Sequence, residues 1–222
     1  MKKYCSKVLF ILPVILLLLS CSKSDSKTGN EPINTIETVT IGTQVWMLKN
    51  LDVSHYRNGD PIPQIAIPEV WINLTTGAWD NYQNHASNDS KYGKLYNWYA
   101  VNDPRGLAPV GWHIPSDDEW NTLVTYLGGE AVAGVKLKAA TEWQTCSTCT
   151  VGTNSSGFTA LPGGCRPSDG ICTSIGGYAN WWSSTEANET DAWTRPLSYD
   201  REDASRYNYV KHSGYYVRCI KD

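Results

Sequence analysis

The stretch Gly111-Trp112-His113-Ile114-Pro115-Ser116-Asp117-Asp118-Glu119-Trp120 has the pattern of an extended segment that leads into a helix. The proline keeps the residue before it out of the helical region of backbone space. Ser116 and Glu119, three residues apart, form a predicted capping box at the helix start. The two aspartates between them add negative charge to the first turn, where the helix dipole favours it.

Apolar side chains then recur at the i, i+3, i+4, i+7 spacing of one helical face, and they are Trp120, Leu123, Val124 and Leu127. The helix is predicted to end at Gly128-Gly129, because glycine readily takes the left-handed conformation of a C-terminal residue. The carboxylates of Asp117, Asp118 and Glu119 are also candidates for chemistry. We favour a purely capping role, since acidic residues at this position are explained by capping alone.

The first 21 residues have the pattern of an export signal. A lysine-rich start is followed by the apolar run Val8–Leu19, which is too short for a comfortable membrane span. Ser20 directly before Cys21 resembles the lipobox of bacterial lipoproteins, and that resemblance implies cleavage before Cys21 and attachment of lipid to it. An ordinary signal peptide that happens to contain a cysteine is the alternative. The lipobox predicts a membrane-anchored protein of the cell envelope, at the outer membrane.

We therefore divide the chain into a signal peptide at residues 1–20, a polar flexible tether at 21–37 and one domain at 38–222. Removing residues 1–20 takes away three of the 19 basic residues and none of the 22 acidic ones, which leaves a net charge of −6. An acidic exterior argues against nucleic acid as a partner, because phosphate contacts need Lys and Arg. The sequence leaves the oligomeric state open.

Beyond Cys21 the chain has five cysteines, and an exported protein favours disulfides; they are Cys146, Cys149, Cys165, Cys172 and Cys219. Five is odd, so at least one is unpaired unless a second chain takes part. The pairing of sequence neighbours predicts Cys146–Cys149 and Cys165–Cys172, with Cys219 free and buried. A zinc site formed by the first four cysteines is the alternative that we consider weaker.

Strand and helix signals are distributed unevenly along the domain. Residues 39–41 and 45–48 flank a hairpin turn, the spacing of Leu95, Trp98 and Tyr99 predicts a short helix, and residues 131–140 form a second, weaker helix after the main one. Further strands are predicted at residues 158–164, 176–185, 193–199, 205–210 and 214–220. The pattern predicts an α+β fold with antiparallel strands and two main helices.

Six blocks, in this order and spacing, resemble the Fibrobacter succinogenes major paralogous domain, a family of exported proteins that are often lipoproteins. The blocks lie at residues 39–51, 93–101, 111–120, 157–164, 182–186 and 214–222. The family in turn resembles the superfamily of the formylglycine-generating enzyme, which implies a C-type-lectin-like fold. This chain departs from the family pattern at Cys165 and Cys172, which suggests an added local disulfide.

The resemblance does not carry an activity over to this chain. Enzymes that generate formylglycine use a cysteine pair and copper, with the pair downstream of the tryptophan-rich segment. Here Cys165 and Cys172 lie upstream of Trp181-Trp182, and only Cys219 lies downstream. The four histidines are scattered and have neither metal-ligand spacing nor a neighbouring nucleophile turn. We therefore expect no catalytic residues and no resident cofactor.

Two sets of residues are candidates for binding. Trp71, Trp79 and Trp193 are candidate stacking platforms for sugar, although tryptophans in a long connection more often fasten it to the core. Calcium is the cation that would suit the oxygen-rich segment after Trp182, whose candidate ligands are Glu186, Asn188, Glu189 and Asp191. A solvated acidic loop is the alternative that we favour for that segment.

The sequence thus predicts a non-catalytic binding or interaction domain, for glycan or protein at the cell surface. A structural envelope protein without a small ligand is one alternative. An enzyme related to the formylglycine-generating superfamily is a weaker one.

Overall fold

The computed structural model describes residues 36–222. Cys21, the predicted signal peptide and nearly all of the predicted tether lie outside the described residues. Nine strands are β1 Thr38–Ile41, β2 Gln44–Met47, β3 Trp79–Asp80, β4 Leu95–Tyr96, β5 Trp112–His113, β6 Tyr178–Glu186, β7 Asp191–Ser198, β8 Tyr207–Val210 and β9 Ile220–Lys221. Five α-helices are α1 Pro68–Trp71, α2 Asp89–Tyr92, α3 Trp98–Val101, α4 Asp117–Tyr126 and α5 Glu130–Leu137. The predicted α+β class, with antiparallel pairing in its sheets, is confirmed.

Across residues 36–222 no helix combines the length and the apolar character that crossing a membrane requires.

A four-stranded sheet in the order β1-β2-β9-β5 joins the two ends of the domain. The predicted hairpin is confirmed, with Ile41 opposite Gln44 across the turn. The closing strand β9 lies between β2 and β5, where Ile220 is paired with both Trp46 and His113. Strand β5, which leads into the main helix, is therefore an edge strand of this sheet and pairs with the C-terminal strand β9.

The main helix α4 begins as predicted. Ser116 Oγ accepts a hydrogen bond from Glu119 N, and Glu119 Oε2 accepts one from Ser116 N at 2.8 Å, so both bonds of the capping box are present. Trp120, Leu123 and Val124 are buried on the core face. Gly128 and Gly129 follow with φ of 101° and 98°, the left-handed conformation that ends the helix.

The short helix predicted from Leu95, Trp98 and Tyr99 is wrong in its first half. Leu95 and Tyr96 form strand β4, paired with β3. The helix starts at Trp98, because the Asn97 side chain caps it by accepting from Ala100 N. Pairing with a distant strand outweighs the helical spacing at Leu95.

The second sheet has the order β6-β7-β8 and confirms three of the predicted C-terminal strands. Residues 158–164 and 214–220 are both predicted to be strands, but neither range forms a continuous strand. Ala160, Gly164, Tyr215 and Tyr216 make isolated bridges, each to a different partner. The backbone there is extended, but its partner changes every few residues, so no ladder forms.

Two hydrophobic clusters, which we call the first and second cores, lie on opposite sides of β6. Trp181 belongs to the first core and Trp182 to the second, as successive residues of a strand point to opposite faces. Tyr216 and Tyr215 divide in the same way. Trp46, Trp120, Phe158 and Trp181 form the aromatic centre of the first core, with ring centroids 4.8 to 6.1 Å apart.

The cysteines follow the prediction only in part. Cys146 and Cys149 form a disulfide, and the three other cysteines in the described part of the chain are free thiols. The predicted Cys165–Cys172 pair is wrong for a reason of register. Cys165 pairs with Thr173 in an antiparallel bridge, so Cys172 points to the opposite face. Accordingly Cys165 packs in the second core and Cys172 against the first.

The capping box gives a test of local stability. We expect Ser116→Ala to lower the free energy of unfolding by about 1 kcal/mol, because an orphan amide at the helix start loses its acceptor. Urea denaturation of the purified protein measures the change. Ser147→Ala, an exposed serine in a loop, is the control and should leave the midpoint unchanged. Equal stability of the two variants would contradict a stabilising cap.

Candidate functional site

Two of the three candidate stacking tryptophans belong to the interior. Trp71 is 0% exposed and Trp79 is 9% exposed. The Trp71 ring lies under the guanidinium of Arg166 at 4.3 Å. The Trp79 indole donates to Ile62 O at 2.8 Å, and the Lys94 amine lies over its ring. Their prediction as sugar platforms is wrong, because both rings fasten the long 51–80 segment to the core.

Trp193 is half-buried and has one face covered by the Arg206 guanidinium at 3.9 Å. Arg206 also binds the carboxylate of Asp117, whose Oδ1 lies 3.2 Å from the buried Arg195. Asp117 therefore has a role beyond the helix start, because it pairs with two arginines, one on β7 and one directly before β8. Trp193 is part of this charged cluster, so it is not an open stacking platform.

Three of the four candidate calcium ligands, Glu186, Asn188 and Asp191, have side chains engaged with protein groups. Lys211 Nζ bonds to the Glu186 carboxylate and to Glu189 O. Asn188 Oδ1 accepts from Thr190 N and Asp191 N at 2.9 Å. Within residues 36–222 no three His, Cys, Asp or Glu side chains converge as a metal site. A lysine amine supplies the positive charge here, and the predicted calcium cluster is not assembled.

His113 lies between two carboxylates. Its Nε2 is 2.8 Å from Glu119 Oε1, and its Nδ1 is 2.7 Å from Asp222 Oδ1. Burial by itself would lower the pKa of His113, but the hydrogen bonds to Glu119 and Asp222 outweigh burial and raise the pKa above its ordinary 6.5. The imidazole thus fastens the last residue of the chain to the capping box of α4.

Residues 198–205, which run from the last residue of β7 towards β8, are bordered by three concave surfaces. Their main chain is held by the buried Lys138, whose Nζ donates to Ser198 O at 3.1 Å and to Arg201 O at 2.7 Å. Helix α5 packs against it so closely that a Cβ on Gly134 would lie 2.2 Å from Asp203 O. We call these residues the 198–205 loop.

A groove of about 240 Å³ opens on the second-core face of β6-β7-β8 beside this loop. Three tyrosines line it: Tyr178, Tyr207 and Tyr209. Ser198 and the ion pair of Arg201 Nε with Asp203 Oδ1, at 2.7 Å, supply its polar groups. Tyr207 is 42% exposed, so its ring is available to a ligand. We call this surface the tyrosine groove.

Sequence reasoning missed the tyrosine groove. Tyr207 and Tyr209 alternate on one predicted strand, and that alternation indicates a shared face. What the sequence could not supply is the pairing of Ser198 with Tyr178 across β6 and β7, which places the third tyrosine on the same face.

Comparison with known sequences gives one family match. The sequence profile of the Fibrobacter succinogenes major domain matches residues 39–221, nearly the whole described domain. Neither a curated protein nor a solved structure matches the chain significantly.

The His113 contacts predict a pH dependence of stability. Because the folded-state pKa of His113 is raised, its stabilisation is complete below about pH 6.5 and is lost as the pH rises through the folded-state pKa. We expect the free energy of unfolding to fall over that window in the native protein, and to fall less in His113→Gln. Urea denaturation between pH 6 and 9 measures both slopes.

His85→Gln removes an exposed histidine and serves as the matched control, with the native slope retained. Identical slopes in His113→Gln and the native protein would show that the two carboxylates do not hold a proton on His113.

Proposed function

The chain belongs to the Fibrobacter succinogenes major domain family, and we propose that it is a lipid-anchored protein of the outer membrane whose domain binds glycan without catalysis. The lipobox at Cys21 supports the anchor, and the tyrosine groove supports the binding role. The groove is the observation that carries the proposal, because it combines aromatic faces with hydrogen-bonding groups at an open surface.

The composition of the tyrosine groove favours a sugar over a purely apolar ligand. A tyrosine ring offers an apolar face to the C–H side of a sugar and a hydroxyl at its edge. Ser198 and the Arg201–Asp203 pair add donors and acceptors beside the rings. A concave, largely apolar surface with a few polar groups that fix orientation is the usual form of a small-ligand site.

Three side chains that could carry out acid–base chemistry are engaged within the protein, which supports a non-catalytic role. Both ring nitrogens of His113 contact carboxylates. Asp117 is bound by two arginines, and Glu119 is bound by Ser116 and His113. A general base needs an accessible lone pair near its substrate, and these groups do not offer one.

We also propose that the domain has a C-type-lectin-like arrangement. The α+β class, the pairing of both ends of the domain in one sheet and the loop-rich region between α5 and β6 support it. In such an arrangement a ligand would bind on loops rather than in the sheet that joins the ends.

A protein partner is the second candidate. Ile67 and Val70 near α1 are 59% and 45% exposed, and Ile171 is 59% exposed. A Cβ on the neighbouring Gly170 would lie 3.1 Å from Ile72 Cγ2, so these aliphatic groups come from adjacent segments. Grouped exposed aliphatic side chains are typical of protein contact surfaces.

The tyrosine groove can be tested on a glycan array with the full chain in a detergent that lacks a sugar headgroup. We expect Tyr207→Ala to weaken the strongest signal about tenfold, because a central aromatic contact contributes more than 1 kcal/mol. Tyr126→Ala, a 65% exposed tyrosine on α4, is the matched control and should bind normally. An array without signal, together with crosslinks to an envelope protein, would instead favour the protein partner.

The anchor can be tested separately in cells. We expect Cys21→Ser to release the protein from the membrane fraction and to abolish incorporation of labelled fatty acid, because the acceptor of the lipid is gone. Cys5→Ser changes the cysteine inside the signal peptide and should leave both unchanged. Retention of Cys21→Ser in the outer membrane would contradict the lipobox assignment.

A further inference from the structure

A second cleft, of about 210 Å³, lies on the first-core side of the 198–205 loop. The loop that carries the Cys146–Cys149 disulfide forms one of its walls, and Cys149 itself lines it. Trp143 and Tyr199, both half-buried, contribute aromatic rings to the cleft. We call it the disulfide cleft.

Three polar side chains at the disulfide cleft are unengaged. Among the described residues, the side chains of Thr141, Gln144 and Thr145 make no hydrogen bond to protein, whereas the Trp143 indole is fixed by donating to Ala160 O at 2.9 Å. Ring faces held in position beside free hydroxyl and amide groups suit a ligand with many hydroxyls and one apolar face.

The charged groups at the disulfide cleft are already engaged within the protein. Glu142 is paired with Lys91 at 2.6 Å. The Lys138 ammonium is bound to two main-chain carbonyls of the 198–205 loop. A neutral ligand therefore fits better than an ionised one. The volume lies below the roughly 300–1,000 Å³ of sites for drug-sized ligands, so the cleft suits a single sugar ring.

The wall of the cleft depends on the disulfide. The main chain of residues 145–152 makes one backbone hydrogen bond within the described protein, from Cys149 N to Cys146 O at 3.3 Å. The Thr150 hydroxyl also donates a hydrogen bond from this segment to the Glu202 carboxylate. Cys146 is exposed, so a reductant can reach the bond.

We propose that the disulfide cleft is a binding site for one neutral hexose unit, and that the Cys146–Cys149 disulfide controls it. A dithiol reductant attacks one sulfur through its thiolate and then closes on itself, so two electrons reduce the protein disulfide to two thiols while the reductant becomes a disulfide. The reduced loop loses its closure and the cleft loses a wall. This site is independent of the tyrosine groove.

The test titrates the full chain, in a detergent without a sugar headgroup, with D-glucose, D-galactose and D-mannose, followed by saturation-transfer NMR. We expect saturable binding of at least one of the three in the oxidised protein. Dithiothreitol should weaken it about tenfold or more, with two additional titratable thiols and an unchanged far-UV spectrum, and reoxidation should restore it. Cys146→Ser/Cys149→Ser should bind like the reduced protein.

Gln144→Ala locates the site, because this exposed side chain borders the cleft without holding the fold. We expect it to weaken hexose binding in the oxidised protein, while Tyr207→Ala leaves it unchanged. If none of the three hexoses binds, if reduction leaves the affinity unchanged, or if Tyr207→Ala rather than Gln144→Ala removes binding, the proposal is overturned. The last result would place the sugar in the tyrosine groove.

Discussion

The fold depends on one buried guanidinium, that of Arg218. Its Nε donates to Asn50 Oδ1 at 2.9 Å, and the same oxygen accepts from the Trp181 indole at 2.8 Å. A second nitrogen donates to Phe158 O, and the guanidinium stacks 4.2 Å from the Phe158 ring. Burial lowers the pKa of Arg218 to about 9, so the group stays charged at neutral pH, although no carboxylate among residues 36–222 forms an ion pair with it. The Arg218 side chain therefore connects the C-terminal segment to Asn50, which follows the first hairpin, and to Phe158, while Asn50 in turn bonds to Trp181 on β6.

A further buried arginine, Arg166, joins distant segments in a similar way, but with a carboxylate partner. Arg166 pairs with Asp80 at 2.6 Å and also donates to the main-chain oxygens of Ile65, Ala66 and Gly170. These bonds satisfy carbonyls in segments that have no ladder or helix to satisfy them. Burial raises the pKa of Asp80 and lowers that of Arg166, because desolvation disfavours the charged form of each side chain. Buried arginines that donate to main-chain oxygens thus help to hold the irregular segments of this domain in place.

The features that the sequence predicted are those set by near neighbours. The capping box, the first hairpin and the glycine end of α4 each depend on residues within a few positions. The features that it missed are set by distant pairing. Leu95 joins a strand because β3 lies beside it, and Cys172 turns away from Cys165 because of the bridge to Thr173. Trp71 and Trp79 resembled exposed platforms because their neighbours in sequence are polar, but Arg166 and Lys94 cover them in the fold. The tyrosine groove was missed for the same reason, since its third tyrosine comes from another strand.

The main chain of the 198–205 loop is fixed by hydrogen bonds to the neighbouring α5 region. Lys138 holds the carbonyls of Ser198 and Arg201, Val135 N donates to Glu202 O, and Ala204 N donates to Glu130 O. All of these bonds go to the backbone of the loop, so none constrains which side chains it presents. A loop fixed in this way has already lost the conformational entropy that a mobile binding loop would lose on meeting its ligand. The same loop borders both the tyrosine groove and the disulfide cleft, so the buried Lys138 supports one wall of each.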